Sequence, residues 1–225
     1  MSEKTTTKEI STAKKLIILA VCCSAVAAIT FLSGRLLSLI ETTWIRNVLR
    51  CAVYAAMAVC AIVGIRLSGM SIKDKLDFRN ARQYLWGLAV FVFLSLSFAV
   101  IPVLCGGNFI GGHFEPPVGE IIYNAMFYII FVGPVEELIF RGYIQDLLVD
   151  VLPKQKWLGA VIAASLFGVW HIINGSLIQV LFTFVIGLIL GLSNYFIKNC
   201  TLISVSLGHG LYDFFNIIWR IVLVK

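Results

Sequence analysis

Six ionisable side chains lie where a strongly apolar chain should carry none: Glu136, Glu137 and Arg141 in one hydrophobic stretch, His171 in the next, His209 and Asp213 in the last. A charge at the centre of a bilayer costs about 2.5 to 3.5 kcal/mol even on a lenient insertion scale, so groups kept there have work to do. Glu137 and Arg141 stand four residues apart, on one helical face, where each reduces the cost of burying the other. Glu136 is turned by about 100° from Glu137 and is left for another task. His209 and Asp213 repeat the four-residue spacing, at which two side chains of one helix converge on a metal ion or a water. Phe167 shares a face with His171 in the same way and packs beside the imidazole. A carboxylate, two histidines and a further acid in a site that water can enter are equipment for activating water. Glu136 would take the proton of a water attacking a peptide carbonyl, and His171 would orient that water or bind a metal. His209 and Asp213 would complete a metal site or hold the oxyanion.

Elements that place these groups follow from the composition of the 225-residue chain, which is 60% hydrophobic and 13% charged. The mean hydropathy of +0.94 lies far outside the range of a soluble domain. A bilayer core of roughly 30 Å needs about 20 apolar helical residues to cross it. Stretches of about that length run over 16–32, 48–67, 84–104, 121–140, 158–173, 177–196 and 202–224. The expected fold is all-α: a polytopic transmembrane helical bundle of about seven spans, with the catalytic core in the last four. Transmembrane barrel strands would instead read as alternating segments of roughly ten residues. No linker, tandem repeat or low-complexity segment divides the chain, so 1–225 reads as one integral membrane domain. Within it, 1–15 is a basic tail, 16–118 holds accessory spans and 119–225 holds the core. The first apolar run is longer than a secretory signal core and six more follow, so it reads as a retained helix.

The net charge of +6 is distributed by loop. Lys4, Lys8, Lys14 and Lys15 precede the first span; Lys73, Lys75, Arg79 and Arg82 fill the second loop; Lys154, Lys156 and Lys198 follow in the fourth and sixth. The third and fifth loops have no Lys or Arg, and the first is the exception, with Arg35 and Arg46 beside Glu41. The positive-inside rule puts the N-terminus in the cytoplasm of what reads as a bacterial plasma membrane protein. Basic loops of this kind touch anionic lipid, and nucleic acid is an unneeded partner. Cys22, Cys23, Cys51, Cys60, Cys105 and Cys200 show no C-x-x-C spacing and read as small apolar side chains. His113 lies in a polar loop and reads as solvated.

Counted inward from the basic loops, Glu136 and His171 lie about 14 residues deep, roughly 21 Å at 1.5 Å per residue. His209 and Asp213 lie about 8 and 12 residues deep, roughly 12 to 18 Å. Three spans thus bring polar groups to a similar level, as one intramembrane site requires. Gly133 and Pro134, just before the glutamate pair, predict a break in the helix where it lines a cavity. Gly187 and Gly191 predict close approach of another helix.

The run "EELIFRG" resembles the E-E-x-x-x-R motif of the CAAX protease and bacteriocin-processing family of intramembrane endopeptidases, also called the Abi family. "FGVWH" is similar to its F-x-x-x-H motif, and "HGLYD" to its third, a histidine followed four residues later usually by asparagine. The three occur in the expected order over roughly 121–224. Each motif alone is weakly specific; the ordered set is strong. The resemblance implies that Glu136 activates water, that Glu137 and Arg141 support it, that His171 partners the water, and that His209 with residue 213 faces the oxyanion or a metal. Asp213 departs from the pattern, and an ionised aspartate has no N–H to offer an oxyanion. A metal-binding or histidine-orienting role suits it better, so a divalent metal, zinc first, is an expectation, held by Glu136, His171, His209 and Asp213.

Two functional classes follow. The first is an endopeptidase that cleaves a membrane-associated protein or peptide, a bacteriocin leader or a lipidated C-terminus among them. The second is a non-catalytic bacteriocin self-immunity or peptide-binding protein on the same fold. A small-solute transporter is disfavoured, because no matching pair of broken helices appears in two halves of the chain.

Overall fold

The computed structural model describes residues 10–173 and 175–224. Lys4 and Lys8 of the expected basic tail lie outside the described residues. Among those described, the chain forms seven main helices and no strand. They are α1 (Thr12–Ser38), α2 (Thr43–Leu67), α3 (Ala81–Leu104), α4 (Val118–Val151), α5 (Leu158–Trp170), α6 (Leu177–Phe196) and α7 (Leu202–Val222). The helices α1, α2, α3, α4 and α6 are long and apolar enough to cross a membrane. Shorter and apolar, α5 is followed by a 3-10 turn at His171–Ile173, while α7 carries the polar groups of the site. The all-helical expectation holds, and each of the seven apolar stretches corresponds to one helix.

Polar residues at the ends of apolar runs start several helices. Ser11 caps α1, Asn80 caps α3 and Ser176 caps α6, each side chain accepting a backbone N–H of the first turn. Thr201 and Ser204 form a reciprocal capping box at the start of α7. The same two residues tie α7 to α3: Thr201 Oγ1 donates to Gln83 Oε1 at 2.8 Å, and Ser204 Oγ donates to the Gln83 carbonyl at 2.8 Å.

Successive helices alternate in direction. Where α1 begins, Lys15 pairs with Asp150 at 2.6 Å, Lys75 pairs with Asp146, and Asn80 bonds Asn199. At the opposite end, the Tyr123 hydroxyl donates to the Asn47 carbonyl at 3.2 Å, and Arg220 Nε donates to the Gly112 carbonyl at 2.8 Å. The two sets of loops therefore lie at opposite ends of the bundle.

Two expectations about the fourth span need correction. It does not stop at Phe140 but runs over 34 residues to Val151, because Arg141, Gln145 and Asp146 lower the hydropathy without interrupting the helix. Nor does Pro134 break it. The backbone instead widens into π-helical turns on both sides, at Phe127–Val132 and Leu138–Gln145. The Gly133 N–H reaches back five residues to the Tyr128 carbonyl, so the shifted register absorbs the missing proline donor while α4 stays continuous.

Candidate active site

Close helix contact creates the site. At Gly133 of α4, an added Cβ would lie 2.5 Å from the Ser206 carbonyl oxygen and 2.7 Å from the Gly210 nitrogen. A Cβ at Gly210 would lie 2.6 Å from the Tyr128 carbonyl oxygen, and one at Gly208 would strike Val90 of α3. Between these two glycines stands His209, so α7 is held against α3 on one side and α4 on the other with its imidazole beside the glutamate pair. Glycine is required here because backbone meets backbone.

Glu137 and Arg141 are fully buried and bonded, with Arg141 Nη1 donating to Glu137 Oε1 at 2.8 Å. Arg141 Nη2 also donates to the Gly187 carbonyl at 2.6 Å, and Gln145 Nε2 to the Gly191 carbonyl at 3.1 Å. A Cβ at Gly187 would sit 2.8 Å from Phe167 and 3.2 Å from Arg141 Nη2, which gives these glycines the packing role their spacing predicts. The Arg141 guanidinium lies over the Phe167 ring, 4.9 Å from its centroid. Arg141 thus joins α4, α5 and α6.

The second bond to Glu137 Oε1 comes from His209 Nδ1, at 2.8 Å. It turns Nε2 toward Glu136 Oε2 at 3.9 Å and Asp213 Oδ2 at 3.4 Å. Both ring nitrogens face carboxylate oxygens, and only the imidazolium carries a proton for each. Glu136 is 4% exposed, and its Oε1 accepts a hydrogen bond from the Tyr54 hydroxyl at 3.0 Å. On α5, the Phe167 carbonyl accepts from His171 Nδ1 at 2.8 Å, leaving Nε2 as the free lone pair. Phe167 stands edge-on between both imidazoles, 4.7 Å from His171 and 5.8 Å from His209 by ring centroids.

These groups border one cavity of about 640 Å³, whose wall includes Glu136, His171, His209 and Asp213. The structure therefore brings together all six residues singled out in the sequence, four on the cavity and Glu137 with Arg141 buried behind it. His113 is exposed in its loop, bonded to the Val224 carbonyl and to Glu115.

Tyr54 and Arg50 were missed. They stand one turn apart on α2 and both line the cavity, so the second span contributes directly to the site. Arg50 left a signal, an ionisable residue within an apolar stretch. Tyr54 left none, because tyrosine is common in such stretches. Also missed was Arg220 at the far end of α7.

The four expected metal ligands do not fit a metal as arranged. Among the described residues no three His, Cys, Asp or Glu side chains gather as a cation site. His209 commits Nδ1 to Glu137, which leaves Nε2 alone to face the cavity, 3.4 Å from Asp213 and 3.9 Å from Glu136.

The helical bundle thus gathers a buried carboxylate, two histidines and an aspartate around one cavity. Residues 118–215 match the family model described as type II CAAX prenyl endopeptidase Rce1-like. No curated protein and no solved structure matches the chain. The match covers a little under half of the chain, includes all six polar residues, and identifies this segment with the CAAX protease family. It supports a CAAX-type intramembrane protease as the general class.

Proposed function

We propose that the protein is an intramembrane endopeptidase that cleaves a membrane-associated peptide with a water activated by Glu136 and His171. What supports the reading is the orientation of three groups around the cavity. Glu136 Oε1 is held by Tyr54, which leaves Oε2 for the water. His171 offers a lone pair at Nε2 because its other nitrogen is committed to the Phe167 carbonyl. One water bonded to both would present its own lone pair to a carbonyl carbon.

In the first step the water O–H bond breaks, its proton passes to Glu136, and the oxygen bonds the peptide carbon. The carbonyl oxygen becomes an oxyanion, which accepts the Nε2 proton of the His209 imidazolium as a hydrogen bond. Glu137 fixes that imidazole from the other side, and Asp213 holds Nε2 between turnovers. The C–N bond then breaks, and Glu136 returns its proton to the leaving amine. Asp213 is a positioning residue here, which suits a side chain without a donor. No step passes through a metal.

The observation that carries the reading is the approach of Glu136 Oε2 to His209 Nε2, 3.9 Å apart across the cavity edge. The family description names a prenyl endopeptidase, so a prenylated C-terminal peptide in detergent is the first substrate to assay. Glu136→Gln should lower kcat/KM by about 10²- to 10⁴-fold, the range for a general base, while thermal unfolding stays close to the parent's. Undiminished cleavage by this variant would remove the enzyme reading. Protection against a bacteriocin that survives it would favour the immunity class instead.

A further inference from the structure

We infer that the catalytic cavity opens on the extracytoplasmic face of the membrane and receives a membrane-bound peptide from the outer leaflet, a substrate class that rests on the protease reading above. The loop residues on the cavity wall all belong to the set of loops at one end of the bundle. Asn108, Phe109 and Ile110 of the loop between α3 and α4 form its edge, with Ser176 and Gln179 at the start of α6. Arg50 enters from the first half of α2, and Arg220 from the last turn of α7. All of these positions lie at the end opposite to the start of α1.

The loop from α3 to α4 is fastened over this end. Arg220 Nε bonds the Gly112 carbonyl, its guanidinium covers the Phe114 ring at 4.7 Å, and Phe109 packs on Phe182 of α6. The loop between α3 and α4 contains no Lys or Arg, and the cations at this end are Arg35 and Arg46, flanking Glu41, with Arg50 and Arg220 on the cavity wall.

Cations concentrate at the other end. Lys14 and Lys15 begin α1 there, and Lys73, Lys75, Arg79 and Arg82 surround the turn between α2 and α3. Lys154, Lys156 and Lys198 complete the set in the next two loops of that end. These are short loops close to helix ends, the positions at which Lys and Arg determine orientation. The basic end is therefore cytoplasmic and the mouth faces out. A peptide with its cleavage site in the cytosol would have to cross the bilayer to reach Glu136, whereas an exported or membrane-spanning peptide reaches it directly. Arg50 and Arg220 have no carboxylate partner among the described residues, so the mouth attracts an acidic segment or a free C-terminal carboxylate.

Cys105 supplies a native probe, because it is exposed just after α3, at the same end of the bundle as the mouth, while the other five cysteines are buried or half-buried. In the full chain expressed in a bacterial inner membrane, a membrane-impermeant maleimide should label Cys105 in intact cells, and Cys105→Ala should lose the label. In the Cys105→Ala background, Lys154→Cys should label only after permeabilisation. The reverse pattern would overturn the inference. The same peptide is then offered to right-side-out and inside-out vesicles, with Glu136→Gln vesicles as the blank. Cleavage is expected in right-side-out vesicles. Cleavage confined to inside-out vesicles would overturn the inference while the protease reading stands. Cleavage in neither, with Cys105 labelled from outside, would overturn the protease reading and the substrate class while the orientation of the mouth stands.

Discussion

Gly133 is the position at which a single methyl group should separate the two halves of the site. Its added Cβ would meet the Ser206 carbonyl oxygen at 2.5 Å, the Gly210 nitrogen at 2.7 Å and the Gly210 Cα at 2.8 Å. All three atoms are backbone of α7, so no side chain can rotate away. Ordinary contact begins at 3.4 Å, and α7 must retreat from α4 by about 0.9 Å to restore it. That retreat carries His209 with it and lengthens the 3.9 Å approach of Nε2 to Glu136 Oε2 by a comparable amount. A misplacement of about 1 Å at reacting groups costs on the order of 10²-fold in rate, while overpacking of this kind costs about 1 to 3 kcal/mol of stability. Gly133→Ala should therefore remain a folded helical protein, with kcat/KM for peptide cleavage reduced about 10²-fold. Gly119→Ala is the control on the same helix, because a Cβ there meets nothing within 4 Å, and it should behave as the parent. Turnover by Gly133→Ala equal to that of Gly119→Ala would refute the argument that this contact sets the catalytic distance.

Three further substitutions test separate parts of the arrangement. Tyr54→Phe removes the donor to Glu136 Oε1, and since hydrogen bonds to charged groups contribute roughly 1.5 to 3 kcal/mol, kcat/KM should fall at least about tenfold with little change in thermal stability. An unchanged rate would mean that α2 only encloses the site. Arg141→Met leaves Glu137 buried without its cation and the Gly187 carbonyl without its donor, a loss of about 3 to 5 kcal/mol that a denaturant titration in mixed micelles should register. Asp213→Asn keeps an oxygen that can accept from His209 Nε2, so cleavage should stay within roughly tenfold of the parent. Exhaustive chelation should leave the rate of the parent protein unchanged; loss of activity restored by zinc alone would overturn the metal-free mechanism.

The parts of this fold that sequence made legible are those governed by the cost of burying charge. Every ionisable residue that the apolar stretches of the last hundred residues retain was found at the site or directly behind it, because lipid and packed helix leave a charge nowhere else to go. The pairing of Glu137 with Arg141 was readable from a spacing of four, and so was the convergence of His209 with Asp213, because both are local consequences of one helical period. What one helix period cannot give is the contact between helices. The Glu137 bond to His209 spans 72 residues, and it depends on Gly133 and Gly210 meeting, which no local pattern announces. Tyr54 stayed hidden for the same reason: its hydroxyl becomes informative only when α2 is known to face Glu136. The proline was misread because its missing donor has two remedies, a break or a π-helical turn, and packing on both faces of α4 favours the continuous helix. That continuity has a consequence for function. A break at Pro134 would have let Glu136, Glu137 and Arg141 shift together relative to the first half of α4, whereas the unbroken backbone ties both carboxylates to the Gly133 contact with α7. The continuity of α4 thus keeps Glu136 at a fixed height in the cavity, and the proposed chemistry rests on preorganisation more than on the movement of any one segment.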